Sequence, residues 1–520
     1  MDRRHFLEGL GAATAMRLLP AAALPGAAGA AATQAGEPVD AVAQFGFVPD
    51  GRTDNYAAFH RWAEHVNRRR GGHYSFRPGS YRVERYRTTP FRSRNPAEVI
   101  NPHLFGCDGL TIVGHGARIV LNGRFHRTAE PGPDGLARGV HLAVFMPFTL
   151  RQCRNVTIAG FEMDGGVREM TRDDAVKETH AHLLNLQACS NVLLEDLDLH
   201  HCQTDGIYLG DDWLFSRMRP AQACRDVVLN RVTCRNNARG GLSPLQVRGL
   251  TATDCRFAGN GFDLGDYRYH PPGFGVDVEP NRFDAGVDID ARTGDLAFVR
   301  CSFEDNVSAF LAAWTRRLDG ALRLADCTSR NANNRRYHMI LNFPGAIVEG
   351  GRHDTGTGSI WTSWSGRGGG ELVLRDLEIR SAGNYGLFHS HDGNLVTLER
   401  VRLIGTHGAP DFGGFPTIQG DPGGGRRNRV GGCEFFLPAA RKSPERNWDI
   451  EPAFSHTLLE DNLFATDLPA AGGRHFATRY GPGTEARRDR YRGTAPGTAD
   501  SFRPGADSRH DSRTPFSTGE

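Results

Sequence analysis

The middle of the chain alternates apolar and polar residues in short runs. Asn155-Val156-Thr157-Ile158, Asn191-Val192-Leu193-Leu194, Asp226-Val227-Val228-Leu229, Asp295-Leu296-Ala297-Phe298 and Glu371-Leu372-Val373-Leu374 each open on a polar residue and share one pattern. A period of two marks a strand whose alternate side chains face opposite sides. Further runs follow these, among them Cys255-Arg256-Phe257, Cys301-Ser302-Phe303 and Cys433-Glu434-Phe435. The unit returns after roughly 23 to 46 residues, with insertions, and strand repeats separated by turns predict a solenoid.

Each strand of such a coil stacks on its counterpart in the next turn, so equivalent positions form columns. Cys153, Cys189 and Cys224 share one offset, and Cys255, Cys301, Cys327 and Cys433 share another. With no Cys-x-x-Cys spacing among the ten cysteines, stacks of small buried side chains are expected rather than disulfides or metal ligands. Asn237, Asn260 and Asn306 fall in comparable turns and predict a hydrogen-bonded ladder.

A third set of runs shares one frame: Gly206-Ile207-Tyr208-Leu209, Gly241-Leu242-Ser243, Gly275-Val276-Asp277-Val278-Glu279, Ala309-Phe310-Leu311 and His338-Met339-Ile340-Leu341. Alternation sends Ile207, Leu209, Leu242, Val276 and Val278 inward. Tyr208, Ser243, Asp277 and Glu279 then point outward on neighbouring turns, and a groove on that face is the expected site. A second copy, Gly286-Val287-Asp288-Ile289-Asp290, competes with 275–280 for the place of the rung strand.

Upstream, Phe45-Gly46-Phe47-Val48-Pro49-Asp50-Gly51-Arg52-Thr53-Asp54 precedes a helical stretch to Arg70, then Gly71-Gly72 and Phe76-Arg77-Pro78-Gly79-Ser80-Tyr81-Arg82-Val83. This resembles the entry to the pectate-lyase-like right-handed parallel β-helix superfamily, which includes polygalacturonase relatives, polysaccharide lyases and phage tailspikes. The resemblance implies an all-β solenoid closed by an N-terminal capping helix. Asp54 is the expected N-cap, with Ala57, Phe59, Trp62, Ala63 and Val66 on the buried face. The expected organisation is a cap over 33–90, the coil over 91–480 and a polar, unstructured tail over 481–520. Residues 1–32 resemble a twin-arginine export signal: Arg3-Arg4-His5-Phe6-Leu7 leads into an Ala-rich stretch with Ala28 and Ala30 suited to cleavage. That resemblance implies a bacterial protein exported folded, to the periplasm or beyond.

Composition narrows the function. At 520 residues the chain exceeds one ordinary core. Lys plus Arg at 62 against Asp plus Glu at 60 leaves a net charge of +2, which argues against a nucleic-acid partner. No run of about 18 uncharged apolar residues predicts a membrane span. A polysaccharide or oligosaccharide is the expected partner.

Asp277 and Glu279 carry the expected chemistry. Two apart on a strand, they lie on one side with Cα atoms roughly 6.5–7 Å apart. Carboxyls about 6.5–9.5 Å apart suit an inverting glycosidase, and about 5 Å a retaining one. Asp205, Asp211 and Asp212 are expected one rung away. Gln203-Thr204-Asp205 and Gly210-Asp211-Asp212 resemble, in compressed form, the Asn-Thr-Asp and Asp-Asp motifs of polygalacturonases, with Gln203 in place of Asn and the spacing absent. Tyr208, Arg239 and Ser243 are expected to contact substrate, with His182, His338, Trp361 and Trp364 beside the groove. No cofactor is required by this reading. Calcium on the carboxylates is an alternative, as is a metal on His180-Ala181-His182. A lyase or uronate epimerase, with Arg239 neutralising a substrate carboxylate, and a non-catalytic glycan-binding solenoid stay open beside the hydrolase.

Overall fold

Alternation gives each strand one apolar row, and burying that row on every strand of a short repeat requires a coil. In the computed structural model each turn from Val247 on carries three strands, and in earlier turns two of them run together as one long strand such as Arg154–Asp164. Gly294–Val299, Ser302–Glu304 and Leu311–Ala313 make one rung, and Asp319–Ala325, Thr328–Arg330 and Tyr337–Leu341 make the next. Equivalent strands pair in parallel, with Leu296 opposite Leu322, Phe303 opposite Ser329 and Leu311 opposite Met339. The result is a right-handed parallel β-helix, in which one face is a 14-stranded sheet and the other two merge into a 28-stranded sheet. The structure describes residues 37–84 and the rungs from 102 onward. The longer stretches outside it are 1–36, 89–101, 123–141, 170–181, 212–221, 263–272, 280–292, 363–369, 406–417, 438–452, 467–477 and 494–501. The export signal lies outside the described residues. Among those described, no helix is long and apolar enough to cross a membrane.

The columns form as expected. All ten cysteines are free and buried, and in the stacked columns thiols donate to carbonyls of the preceding rung, as Cys301 to Ala252 (3.4 Å) and Cys327 to Phe298 (3.3 Å). Asn237, Asn260 and Asn306 form a buried ladder in which each amide donates to the next side chain's Oδ1, at 3.1 and 2.9 Å. A column absent from the expectations lies at another corner. Asp196, Arg231, Asp254 and Arg300 each take a left-handed φ of 51–54°. Arg231 pairs with Asp196 at 2.6 Å and Arg300 with Asp254 at 2.8 Å. Half-exposed pairs of this kind contribute about 0–1 kcal/mol each, so they fix register more than stability.

Three expectations need correction. The helix Tyr56–Arg69 has Asn55, not Asp54, at its N-cap, although the Asp54 carboxylate accepts the Tyr56 N–H at 3.0 Å. Its buried face uses Tyr56 and Ala58 beside Phe59, Trp62, Ala63 and Val66, while Ala57 is exposed. Trp62 lies edge-on to Phe148 at 6.0 Å, closing the bore. The cap segment already contributes rungs, since Gly72–Ser75 and Gly79–Val83 pair with Asp108–Leu121. The tail continues the coil through Glu485–Arg487, Arg490–Gly493, Phe502–Pro504, Arg509–His510 and Phe516–Thr518. Strands this short hide about one side chain each, too little for a visible period. Finally, Val276–Val278 is the rung strand, while 286–290 lies outside the described residues.

Candidate active site

The outward column of the 14-stranded sheet can be read rung by rung from its register. Thr149 pairs with Asn185, Asn185 with Tyr208, and Tyr208 with Ser243. Leu242 pairs with Val276, so Asp277 follows Ser243, and Asp277 pairs with Ala312. Ile207, Leu209, Leu242, Val276 and Val278 face the core with no exposure. Tyr208, Ser243 and Asp277 therefore share one flank, as expected. Thr149 and Asn185 join them; the polar-apolar alternation of Leu184-Asn185-Leu186-Gln187 was the signal for Asn185.

Asp277 is 5 % exposed. Burial pushes its carboxyl up to about 8, Arg239 opposes the rise, and Glu279 and Asp205 add to it. Its Oδ1 has no hydrogen-bond partner, nor has Ser243 Oγ, among the described residues. Beyond Asp277 the column turns apolar: Ala312 and Ile340 pack with Phe274 and Ala309 in a buried cluster separate from the core. The dry side of that cluster is the physical reason for an uncharged acid here. Glu279, one residue past the strand, is exposed.

Asp205 lies two rungs from Asp277, not one, on the strand Asp205–Gly210. It is fully buried. Arg239 grips it through both oxygens, with Nε at 2.9 Å from Oδ1 and a second contact to Oδ2. His182 Nδ1 lies 3.3 Å from Oδ2. Burial alone would raise the Asp205 pKa, but Arg239 and then His182 hold the carboxyl well below the usual carboxylate range. His182 is itself kept below its ordinary value by burial, so its imidazole is neutral at pH 7. Its ring lies against that of Tyr208, centroids 4.7 Å apart, and its Nδ1 is 3.2 Å from Thr204 Oγ1. Two carboxyls on one face are thus driven apart, one protonated and one anionic. Their partners also give Asp205 a fixed place and leave Asp277 available to a ligand.

The remaining expected residues divide. Asp211 is buried, and Asp212, Trp364 and His180 lie outside the described residues. Trp361 pairs with Ile340 by backbone register. His338 does not line the groove: it faces the bore, where Ser329 Oγ lies 2.7 Å from its Nε2 and 2.8 Å from His353 Nδ1. Alternation would put His338 on the side of Ile340, but the register shifts between Tyr337 and Met339, and the His338 ring packs against core Phe310 instead.

No known family model matches the chain, and no curated protein matches it. Solved structures resemble it as coils. The Azotobacter vinelandii mannuronan C-5 epimerase AlgE6 A-module is 9 % identical over 93 % of this chain and 99 % of that one, with a TM-score of 0.43. The GH87 alpha-1,3-glucanase catalytic unit from Streptomyces thermodiastaticus is 12 % identical over 94 % of this chain and 70 % of its own, at 0.43. A mutant tailspike of E. coli bacteriophage HK620 is 9 % identical over 92 % and 80 %, at 0.48.

Proposed function

We propose that the protein is an exported enzyme that hydrolyses glycosidic bonds of a polysaccharide or oligosaccharide bound along the outward column from Asn185 to Asp277. One observation carries this reading: burial pushes the carboxyl of Asp277, on the outward column, up to about 8, with the exposed carboxyl of Glu279 two residues on. Asp277 is the general acid, giving its proton to the leaving oxygen, and a donor with a pKa near the working pH suits that step. Glu279, exposed beside it, is the base that activates water. Asp205 is not a second acid or base in this reading. It holds Arg239 and His182 in place, and these, with Tyr208, orient the sugar.

A second reading follows from the neutral His182 against Tyr208. An imidazole and a phenol side by side are a base and an acid for abstracting and returning a proton, as a uronate lyase or epimerase needs. Digestion of a polysaccharide panel separates the readings. Hydrolysis raises reducing ends without new ultraviolet absorbance, and Asp277→Asn lowers that rate by about 10²–10⁴-fold. An unsaturated, ultraviolet-absorbing product would establish a lyase instead. Sugar binding without turnover, unchanged in Asp277→Asn and Glu279→Gln, would leave a glycan-binding solenoid.

A further inference from the structure

On another face of the coil the strands Arg154–Asp164 and Ser190–His200 end side by side, with Asp164 opposite His200 and Glu162 opposite Asp198. His201 follows in the corner, at a left-handed φ of 52°. It belongs to the column of Asn236, Gly259 and Asp305, each one residue before the asparagine-ladder row. Asn, Gly and Asp are usual in that conformation and His is less common there. The corner sets the His201 ring edge-on to that of His200, centroids 4.9 Å apart at 89°.

Nδ1 of His200 and Nδ1 of His201 are 2.7 Å apart. Asp164 Oδ1 is 3.8 Å from His200 Nδ1, and one ligand atom from each of the three residues lies within 4.8 Å of the others. On the far side of its ring, His200 Nε2 lies 3.2 Å from Glu162 Oε1. A carboxylate only accepts, so the single proton of a neutral His200 belongs on Nε2. That leaves its Nδ1 lone pair aimed at His201 Nδ1, and two ring nitrogens this close need a proton or a cation between them. The Asp164 oxygen at the same point favours a cation. Zinc binds imidazole nitrogen at about 2.0–2.1 Å, which in a tetrahedral site separates ligand atoms by roughly 3.4 Å. The observed 2.7 and 3.8 Å lie on either side of that value.

The surrounding charges set the limits on the ion. Arg118 pairs with Glu162 and with Asp164 Oδ2, and Arg235 pairs with Asp198. Asp164 Oδ1 accepts the Gly166 N–H at 2.9 Å, which leaves a lone pair on that oxygen. Two imidazoles and one carboxylate suit borderline divalent ions, not calcium or magnesium. A surface cavity of about 330 Å³, lined in part by Arg118, Glu162 and Asp198, opens beside the cluster.

We propose that Asp164, His200 and His201 bind one divalent transition ion of the zinc class, with Glu162 as a positioning residue that fixes the His200 tautomer. A histidine ligand whose other nitrogen donates to a carboxylate is the usual arrangement around bound metal. The site is independent of the carboxylates at Asp277 and does not depend on the hydrolase reading.

The test uses full-length protein stripped by chelator, titrated with zinc by calorimetry and with cobalt(II) by visible absorption. The expected result is one ion per chain and the visible bands of a nitrogen–oxygen cobalt site. Glu162→Gln, a partly exposed position, weakens zinc about 10- to 100-fold while leaving the fold intact. The double variant His200→Ala, His201→Ala binds no ion, and Asp277→Asn binds it as the parent does. Absence of saturable binding in the parent, which would leave a proton shared between the two rings, overturns the proposal. So does zinc binding in a folded double variant as tight as in the parent.

Discussion

Asp277 and Asp205 are the same residue type on the same sheet face, yet their surroundings give them opposite charge. Asp277 lies beside an apolar cluster and keeps its proton; Asp205 is clamped by Arg239 and loses it. Pairs of acids separated in this way are how one site supplies both acid and anion at one pH. A third aspartate shows the same physics without any role in the groove. Asp489 ends the ladder begun at Asn462, accepting its Nδ2 at 3.0 Å, with its other oxygen unpartnered among the described residues. Burial raises its pKa from 3.8 to about 7. A raised acid favours the folded state below its unfolded pKa and loses that contribution as pH rises through the folded value. Asp489→Asn therefore flattens the fall in melting temperature between pH 4 and pH 8 and is the more stable protein at pH 8. Parallel melting curves for parent and variant across that range would count against it. At this scale the sequence showed which face Asp277 points to, because alternation alone decides that. It did not show that Arg239 serves Asp205, since that pairing joins residues 34 apart through the corner of a rung.

Among elements, the corner ladders do what the strands, three to seven residues long over much of the coil, cannot. Asn260 accepts from the Asn237 backbone N–H and side chain, and donates to Asn306 Oδ1 and to the Cys234 carbonyl. Asn260→Ala leaves buried donors on Asn237 without an acceptor, at about 1–3 kcal/mol for each unmet group. Chemical denaturation should show that loss as a lower midpoint with an unchanged slope. A negligible shift in Asn260→Ala would mean water replaces the amide. The ladder and the cysteine stacks were legible because each recurs at a fixed offset from a strand. The Asp–Arg corner column recurs too, one residue before Cys255 and Cys301, but its alternating charge looked like ordinary surface. The helix was legible to within one residue, and Ala58 rather than Ala57 is buried because it lies one turn before Trp62 on the same face.

For the molecule as a whole, the coil was readable wherever rungs carry strands long enough to alternate, and unreadable where they shrink. Residues 485–518 form rungs from strands of two to four residues in a sequence rich in Arg, Asp, Gly and Pro, a composition that suggests a tail. The interior pair His338 and His353 was equally hidden, because burying two neutral imidazoles around Ser329 is a property of stacked rungs that no single strand displays. The groove follows from the same stacking: one outward residue per rung, at the interstrand spacing of about 4.8 Å, brings Tyr208, Ser243 and Asp277 into one row. Its chemistry depends on Asp277 being an acid at neutral pH. Infrared difference titration of the parent against Asp277→Asn measures this without any knowledge of the sugar. A carboxylic-acid carbonyl band that titrates near pH 8, and that the variant lacks, is the predicted result. A band that titrates near pH 4 would contradict it.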